Sequence, residues 1–72
     1  MIPRIREFLH ATPFLPFTIR TNDGREYRVP TADHAAVNPK GSRLIVFSDD
    51  DSQAELAALH VATVVRNGQV EK

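Results

Sequence analysis

The pair Asp33-His34 has the clearest capacity for proton chemistry in this sequence of 72 residues. A carboxylate can fix the orientation of a neighbouring imidazole, and a ring held in this way can act as a general base. No serine lies in an elbow motif that would mark a nucleophile. We therefore expect that the protein is not an enzyme. A small enzyme that uses Asp33 and His34 is the weakest of three functional hypotheses.

Residues that could hold a metal ion are present, but their spacing does not favour a site. The three histidines, His10, His34 and His60, are dispersed along the chain without a His-x-x-x-His pair. The run Asp49-Asp50-Asp51 offers oxygen ligands, yet it lacks the alternating ligands and the glycine of a calcium loop. We expect an exposed acidic turn at this run, and we expect no metal or cofactor.

A set of arginines raises a second hypothesis, the binding of single-stranded RNA. Arg20 and Arg28 are expected on the outward face of one hairpin, with Arg43 near its rim. Guanidinium groups suit phosphates and stacked bases. Glu26 shares that face, so a solvated surface with cross-strand ion pairs is the competing interpretation. Nine Lys and Arg balance nine Asp and Glu, so any such binding would depend on a local patch.

The first half of the sequence predicts a helix and a hairpin. Apolar residues recur at helical spacing and predict a short amphipathic helix over residues 3–10. Beyond it, residues 17–21 and 25–30 alternate apolar and polar side chains, as half-buried strands do. Asn22-Asp23-Gly24 separates the two runs, and an Asp-Gly pair in this position is a strong hairpin signal.

The middle of the sequence predicts a corner and a central strand. Pro30 ends ladder pairing, and Thr31 to His34 has the composition of a corner or a capped helical turn. Residues 35–37 form a weak strand pattern. Residues 43–48 form the most β-prone run, which should be central because both of its faces are apolar.

The segment over residues 53–59 is ambiguous. Ser52-Gln-Ala-Glu55 matches a helix capping box, and the residues after it have high helix propensity. A helix here would leave the sheet one strand short, so strand and short helix both stay open. Val64 and Val65 form the last predicted strand, which Asn67-Gly68 closes as a turn.

The stretch Thr12-Pro-Phe-Leu-Pro-Phe17 contains a literal P-x-x-P, a motif that can dock in the aromatic groove of a partner. Phe14, Leu15 and Phe17 are large and apolar, which favours burial and a structural role. We expect Phe14 and Phe17 in the core. We also expect Pro13 to end the helix and Pro16 to fix the path of the chain into the first strand.

Length and composition indicate one small folded domain over residues 1–72. Hydrophobic residues make up 42% of the chain and charged residues 25%, which is ordinary for a globular protein. The chain has no cysteine, so no disulfide supplements a small core, and self-association remains the way to bury more surface. No stretch approaches the roughly 18 apolar residues of a membrane span, and we expect a cytoplasmic protein without a membrane partner.

The layout of these elements resembles the Sm-like small barrels, which include the bacterial host-factor RNA chaperone. The stretch "FTIRTNDGREY" corresponds to that family's strand, Asn-Gly turn and second strand, and "SQAELAALHVATVV" is similar to its final segment. The resemblance implies RNA binding, with the family's uridine-binding Lys-His pair at Leu59-His60. The lysine is absent and the spacing from His60 to Thr63 is shorter, so His60 alone carries over.

A second resemblance covers "PFLPFTIRTNDGREYRVP". This segment resembles small bacterial proteins with a Pro-Phe-x-Pro-Phe, Asp-Gly-Arg and Val-Pro pattern, to which no activity is assigned. It implies a compact fold and no function.

These features predict a β-rich α+β fold, in which the N-terminal helix packs on a strongly bent antiparallel sheet. About four to five strands are expected, arranged as in Sm-like or SH3-like small barrels. The first functional hypothesis is a non-catalytic interaction or oligomerisation module that forms a homo-oligomer. The alternative is an Sm-like protein that binds single-stranded RNA through Arg20, Arg28, Arg43 and His60.

Overall fold

The computed structural model describes the backbone of residues 2–66 and 69–71 and the side chains of residues 2–66. In this part of the chain, one α-helix precedes seven β-strands, and single 3-10 turns lie at Ala32–His34 and Ala58–His60. The helix α1 spans Ile2–Leu9. The strands are β1 Phe17–Thr21, β2 Glu26–Val29, β3 Ala35–Val37, β4 Arg43–Phe47, β5 Gln53–Ala57, β6 Val61–Arg66 and β7 Gln69–Glu71.

The predicted class, α+β and β-rich with an N-terminal helix, is confirmed. The strands form two antiparallel sheets, ordered β2-β1-β6-β7 and β3-β4-β5 among the described residues. This differs from the expected single sheet of about four to five strands. Pro30 and the corner after it separate β2 from β3, because proline cannot donate to a ladder. The predicted turn Asn67-Gly68 lies outside the described residues.

Helix α1 covers one side of the core. Ile2, Ile5 and Phe8 are buried, as the helical spacing of the apolar residues predicts. The guanidinium of Arg6 donates to the carbonyls of Asn38 and Pro39 at 2.6 and 3.0 Å, which joins the helix to the turn after β3. The same arginine thus attaches the helix to the three-stranded sheet.

The stretch after the helix is mainly structural. Phe17 is 1% exposed and Phe14 is half-buried against the core. Pro16 directly precedes β1, as predicted. The helix ends at Leu9, one residue from the predicted bound, and its last backbone bonds run from His10 N–H to the Arg6 carbonyl and from Ala11 N–H to the Phe8 carbonyl, two residues before Pro13.

The β1–β2 hairpin forms as the Asp-Gly signal predicts. The backbone N–H of Gly24 donates to the Thr21 carbonyl, and that of Thr21 donates to the Arg25 carbonyl, both at 3.0 Å. Gly24 has φ of +85°, a value that side chains with a Cβ rarely adopt. A three-residue loop closed by a left-handed glycine suits the twist of the flanking strands.

The ambiguous segment is a strand followed by a 3-10 turn. Over β5, Leu56 lies opposite Leu44 of β4 and is buried. β5 pairs with the edge of β4 that β3 leaves open, and this pairing outweighs the local helix propensity of the segment. The 3-10 turn Ala58–His60 then returns the chain to the four-stranded sheet, where β6 pairs with β1.

The core lies between α1 and the inward faces of both sheets. Within the described residues it contains twelve buried apolar side chains: Ile2, Ile5, Phe8, Phe17, Ile19, Val29, Ala35, Leu44, Val46, Leu56, Val61 and Val64. The guanidinium of Arg66 covers the Phe8 ring at 3.9 Å from its centroid. This cation–π contact fixes the end of β6 to the helix.

Candidate interaction site

The two sheets present outward faces of different chemistry. On the four-stranded sheet, Arg20, Glu26 and Arg28 point outward in two adjacent strands. On the three-stranded sheet, apolar side chains point outward, and we call this surface the apolar face: Ala36 of β3, Ile45 and Phe47 of β4, and Ala57 of β5. The apolar face is therefore the better candidate for contact with another protein.

The strand register sets the arrangement of the apolar face. Ile45 is its centre, because it lies between Ala36 on one side and Glu55 on the other. Phe47 is 38% exposed, which is a large fraction for a phenylalanine. A shallow cavity of about 270 Å³ opens here, lined by Ala36, Val37, Asn38, Arg43, Leu44, Ile45 and Glu55.

The charges on the apolar face balance each other. Arg43 donates through Nη1 to Glu55 Oε1 at 2.8 Å, across the β4–β5 pair. Both side chains are more than half exposed, so the pair itself adds little stability. It leaves the face with one charge of each sign beside a cluster of apolar groups.

The predicted basic set is divided between the two sheets. Arg20 and Arg28 share the outward face of the hairpin, as expected, whereas Arg43 lies on the other sheet. Arg20 Nε donates to Glu26 Oε2 at 2.6 Å, and Arg43 is paired with Glu55. Arg28 is exposed and has no carboxylate partner among the described residues. The cross-strand ion pair predicted by the competing interpretation is thus present at Arg20.

His60 is the last residue of the 3-10 turn before β6. The hairpin loop holds this turn, since Asn22 N–H donates to the His60 carbonyl at 2.9 Å and Asn22 Nδ2 donates to the Leu59 carbonyl at 3.1 Å. His60 also lines a cavity of about 200 Å³ with Tyr27 and Leu56. The sequence indicated Asn22 only as a turn residue and gave no signal for its long-range bonds.

His34 contacts a carboxylate, but not the one that the sequence suggested. Its Nε2 lies 2.8 Å from Asp49 Oδ1, and its Nδ1 lies 2.7 Å from the Thr31 hydroxyl. The expected partner Asp33 is adjacent in sequence, whereas Asp49 follows β4 in the chain. The Asp49 side chain is 91% exposed, so water competes for this carboxylate. The arrangement joins the corner after β2 to the turn after β4, and both His34 and Asp49 line an open cleft.

Two carboxylates in turns have lowered pKa values. The hydroxyl of Thr21 and then the backbone N–H of Arg25 donate to Asp23, and these bonds hold its pKa below the usual range. The hydroxyl and the backbone N–H of Ser52 do the same for the pKa of Asp50. Both carboxylates therefore act as acceptors that stabilise their turns.

The acidic run Asp49-Asp50-Asp51 is an exposed turn, as predicted. No group of three or more potential metal ligands lies together in the part of the chain that the structure describes. Over the same residues, no helix has both the length and the apolar character required to cross a membrane.

Known proteins were compared with the chain by family, by sequence and by structure. No family model, curated protein or solved structure matches.

Proposed function

We propose that this chain is a non-catalytic interaction module, and that it binds further copies of itself through the apolar face. The observation that carries the proposal is the cluster around Ile45, with Phe47 38% exposed beside it. Contact with a second protein removes such a cluster from water, at roughly 25 cal/mol per Å² of apolar surface.

A second copy is the favoured occupant of this face because of the charge pattern. The chain has a net charge of zero, so no long-range repulsion opposes its self-association. Arg43 and Glu55 provide one charge of each sign at the apolar face. In a two-fold arrangement each copy therefore presents Arg43 to the partner's Glu55, and an isologous contact is self-complementary.

The size of the apolar face sets the expected strength of association. Three strands of up to five residues cover about 17 Å by 14 Å, or roughly 240 Å². A standard interface buries about 800 Å² on each partner. The apolar face supplies about a third of that area, so we expect reversible association. The edge of β5, which pairs only with β4 among the described residues, adjoins this face and would strengthen the contact.

Sedimentation equilibrium over a range of protein concentrations tests the proposal. A mass above the 8.1 kDa of one chain, rising with concentration, is the expected result. The mass of a single chain at every concentration would contradict the proposal.

The small-barrel type of fold is part of the same proposal. A helix precedes the β1–β2 hairpin, and β3 and β5 pair with the central strand β4. A 3-10 turn then leads into β6, which pairs with β1. This order supports an Sm-like or SH3-like arrangement, in which β2 and β3 are two halves of one bent strand interrupted at Pro30.

Single-stranded RNA binding is the second candidate, and Arg28 is the observation that favours it. This arginine has no carboxylate partner among the described residues, and it lines one cleft together with the exposed Phe47. Arg20 and Arg43 support it less, because each is paired with a glutamate. Titration with oligouridylate at two salt concentrations tests this candidate, since contact with several phosphates makes affinity fall steeply with salt.

A further inference from the structure

The strand β2 has an open edge with backbone groups available for pairing. Among the described residues it pairs only with β1, on one side. In an antiparallel pair of strands, hydrogen-bonded and non-hydrogen-bonded residue pairs alternate. The bond from Thr21 N–H to the Arg25 carbonyl makes these two residues a hydrogen-bonded pair, so the next such pair is Ile19 with Tyr27. The backbone N–H and C=O groups of Glu26 and Arg28 therefore point away from β1, toward the open edge.

That edge faces a cleft large enough for an extended segment. The cleft has a volume of about 410 Å³, which is larger than the two cavities described above. Buried Val46 is at its base, and Tyr27, Pro30 and Phe47 supply apolar walls. An apolar side chain that enters beside Tyr27 would contact these groups and leave water.

Among the described residues, the charges around the cleft leave one cation without a carboxylate partner. Glu26 accepts a hydrogen bond from Arg20, and Asp49 is in contact with His34. Arg28 lines the same cleft, is exposed and makes no ion pair with any described residue. A ligand therefore finds two carboxylates that are already engaged and one guanidinium that is available to bind a carboxylate.

From this edge, cleft and charge we propose that the cleft binds an extended peptide segment of another protein, with an acidic residue opposite Arg28, and that this segment adds to β2 as a further strand. An acidic residue lies opposite Arg28 on the outward face, because side chains of directly opposite residues share a face. The next residue along the peptide points inward toward Tyr27 and Val46, so it is apolar. Backbone bonds to Glu26 and Arg28 supply affinity, as in other complexes formed by strand addition.

The experiment uses the full chain and the synthetic peptide acetyl-Thr-Val-Glu-Val-Lys-Thr-amide. Antiparallel to β2, its glutamate lies opposite Arg28 and its lysine opposite Glu26. Titration followed by amide NMR signals should shift those of Glu26 and Arg28. A control peptide with glutamate and lysine exchanged should bind about tenfold more weakly to the wild type. The Arg28→Glu variant, altered at an exposed position, should remove this preference, because each peptide then meets one opposite and one like charge.

Methylation of the peptide backbone separates strand addition from simple charge attraction. The N–H groups of the peptide's glutamate and lysine face β2, so N-methylation of both should reduce affinity about tenfold or more. Methylation of the two valines is the matched control, because their N–H groups point away from β2 and affinity should change much less.

Three results would overturn the peptide proposal. The first is an absence of shifts at millimolar peptide, and the second is an equal loss of affinity for both methylated peptides. The third is that oligouridylate, and not the peptide, shifts the signals of Glu26 and Arg28. In that case the cleft is a nucleic-acid site.

Discussion

The rings of Phe8 and Phe17 meet edge to face with their centroids 5.4 Å apart. One residue belongs to α1 and the other begins β1, and both are almost fully buried. Phe14 adds a tilted contact to the Phe17 ring at 6.0 Å. Phe17 is therefore the point at which the helix, the proline-rich segment and the four-stranded sheet are joined.

Phe17→Ala should lower the free energy of unfolding by about 3 to 5 kcal/mol, because a buried ring is lost and a cavity remains. Total stability is about 5 to 15 kcal/mol for a typical protein, so a domain this small loses much of it. Urea denaturation followed by circular dichroism measures the change. Phe14→Ala, at a half-buried ring, is the control and should cost clearly less. Equal losses for the two variants would contradict this account of the core.

Asp51→Gly should stabilise the acidic turn. Asp51 has φ of 71°, in the left-handed region where glycine is free of the Cβ penalty. The gain in the free energy of unfolding should be up to about 1 kcal/mol, and Asp51→Ala should lower stability instead. Thermal unfolding of both variants provides the measurement. A loss of stability in the glycine variant would show that the aspartate side chain contributes more than its backbone strain removes.

Acid should weaken the hairpin loop through Asp23. Its pKa is lowered by the bonds from Thr21 and Arg25, so its contribution to stability is present above the ordinary aspartate pKa of about 3.9. That contribution is lost as the pH falls through the lower pKa of the folded state. A carboxyl carbon NMR titration should give a midpoint below the ordinary value. A midpoint at or above it would mean that these bonds do not form in solution.

Local patterns were sufficient to predict the hairpin. Its alternation and turn chemistry point to the same structure, and both strands were placed within a residue of their observed bounds. The segment that became β5 was ambiguous because its helix propensity is local, whereas the pairing with β4 that decides its conformation is remote in sequence. Whether the strands form one sheet or two depends on how the chain turns at residues 31–34. The spacing of apolar and polar residues does not predict the direction of that turn.

The candidate site was predicted only in part. Leu44 and Val46 alternate with Ile45 and Phe47, so β4 has two apolar faces, a pattern that predicts a central strand. On the outward side of the three-stranded sheet, Phe47 is exposed and Ile45 is half-buried, so one of those faces meets solvent. The predicted arginines were correctly placed on the hairpin, but the separation of Arg43 from them depends on tertiary structure.

The most direct test of the central claim is the concentration dependence of mass for the wild type, Ile45→Lys and Leu59→Lys. Leu59 is 77% exposed but lies outside the apolar face, so it is the matched control. Ala36→Lys, at an exposed position opposite Ile45, repeats the test where the fold is less affected. Circular dichroism of each variant verifies that it is folded.

Sedimentation equilibrium from about 10 µM to about 1 mM covers the expected range of affinity. The wild type and Leu59→Lys should exceed 8.1 kDa as concentration rises, while folded Ile45→Lys and Ala36→Lys should remain at 8.1 kDa. A wild type that stays at 8.1 kDa throughout, or Ile45 and Ala36 variants that associate as the wild type does, would contradict the proposal.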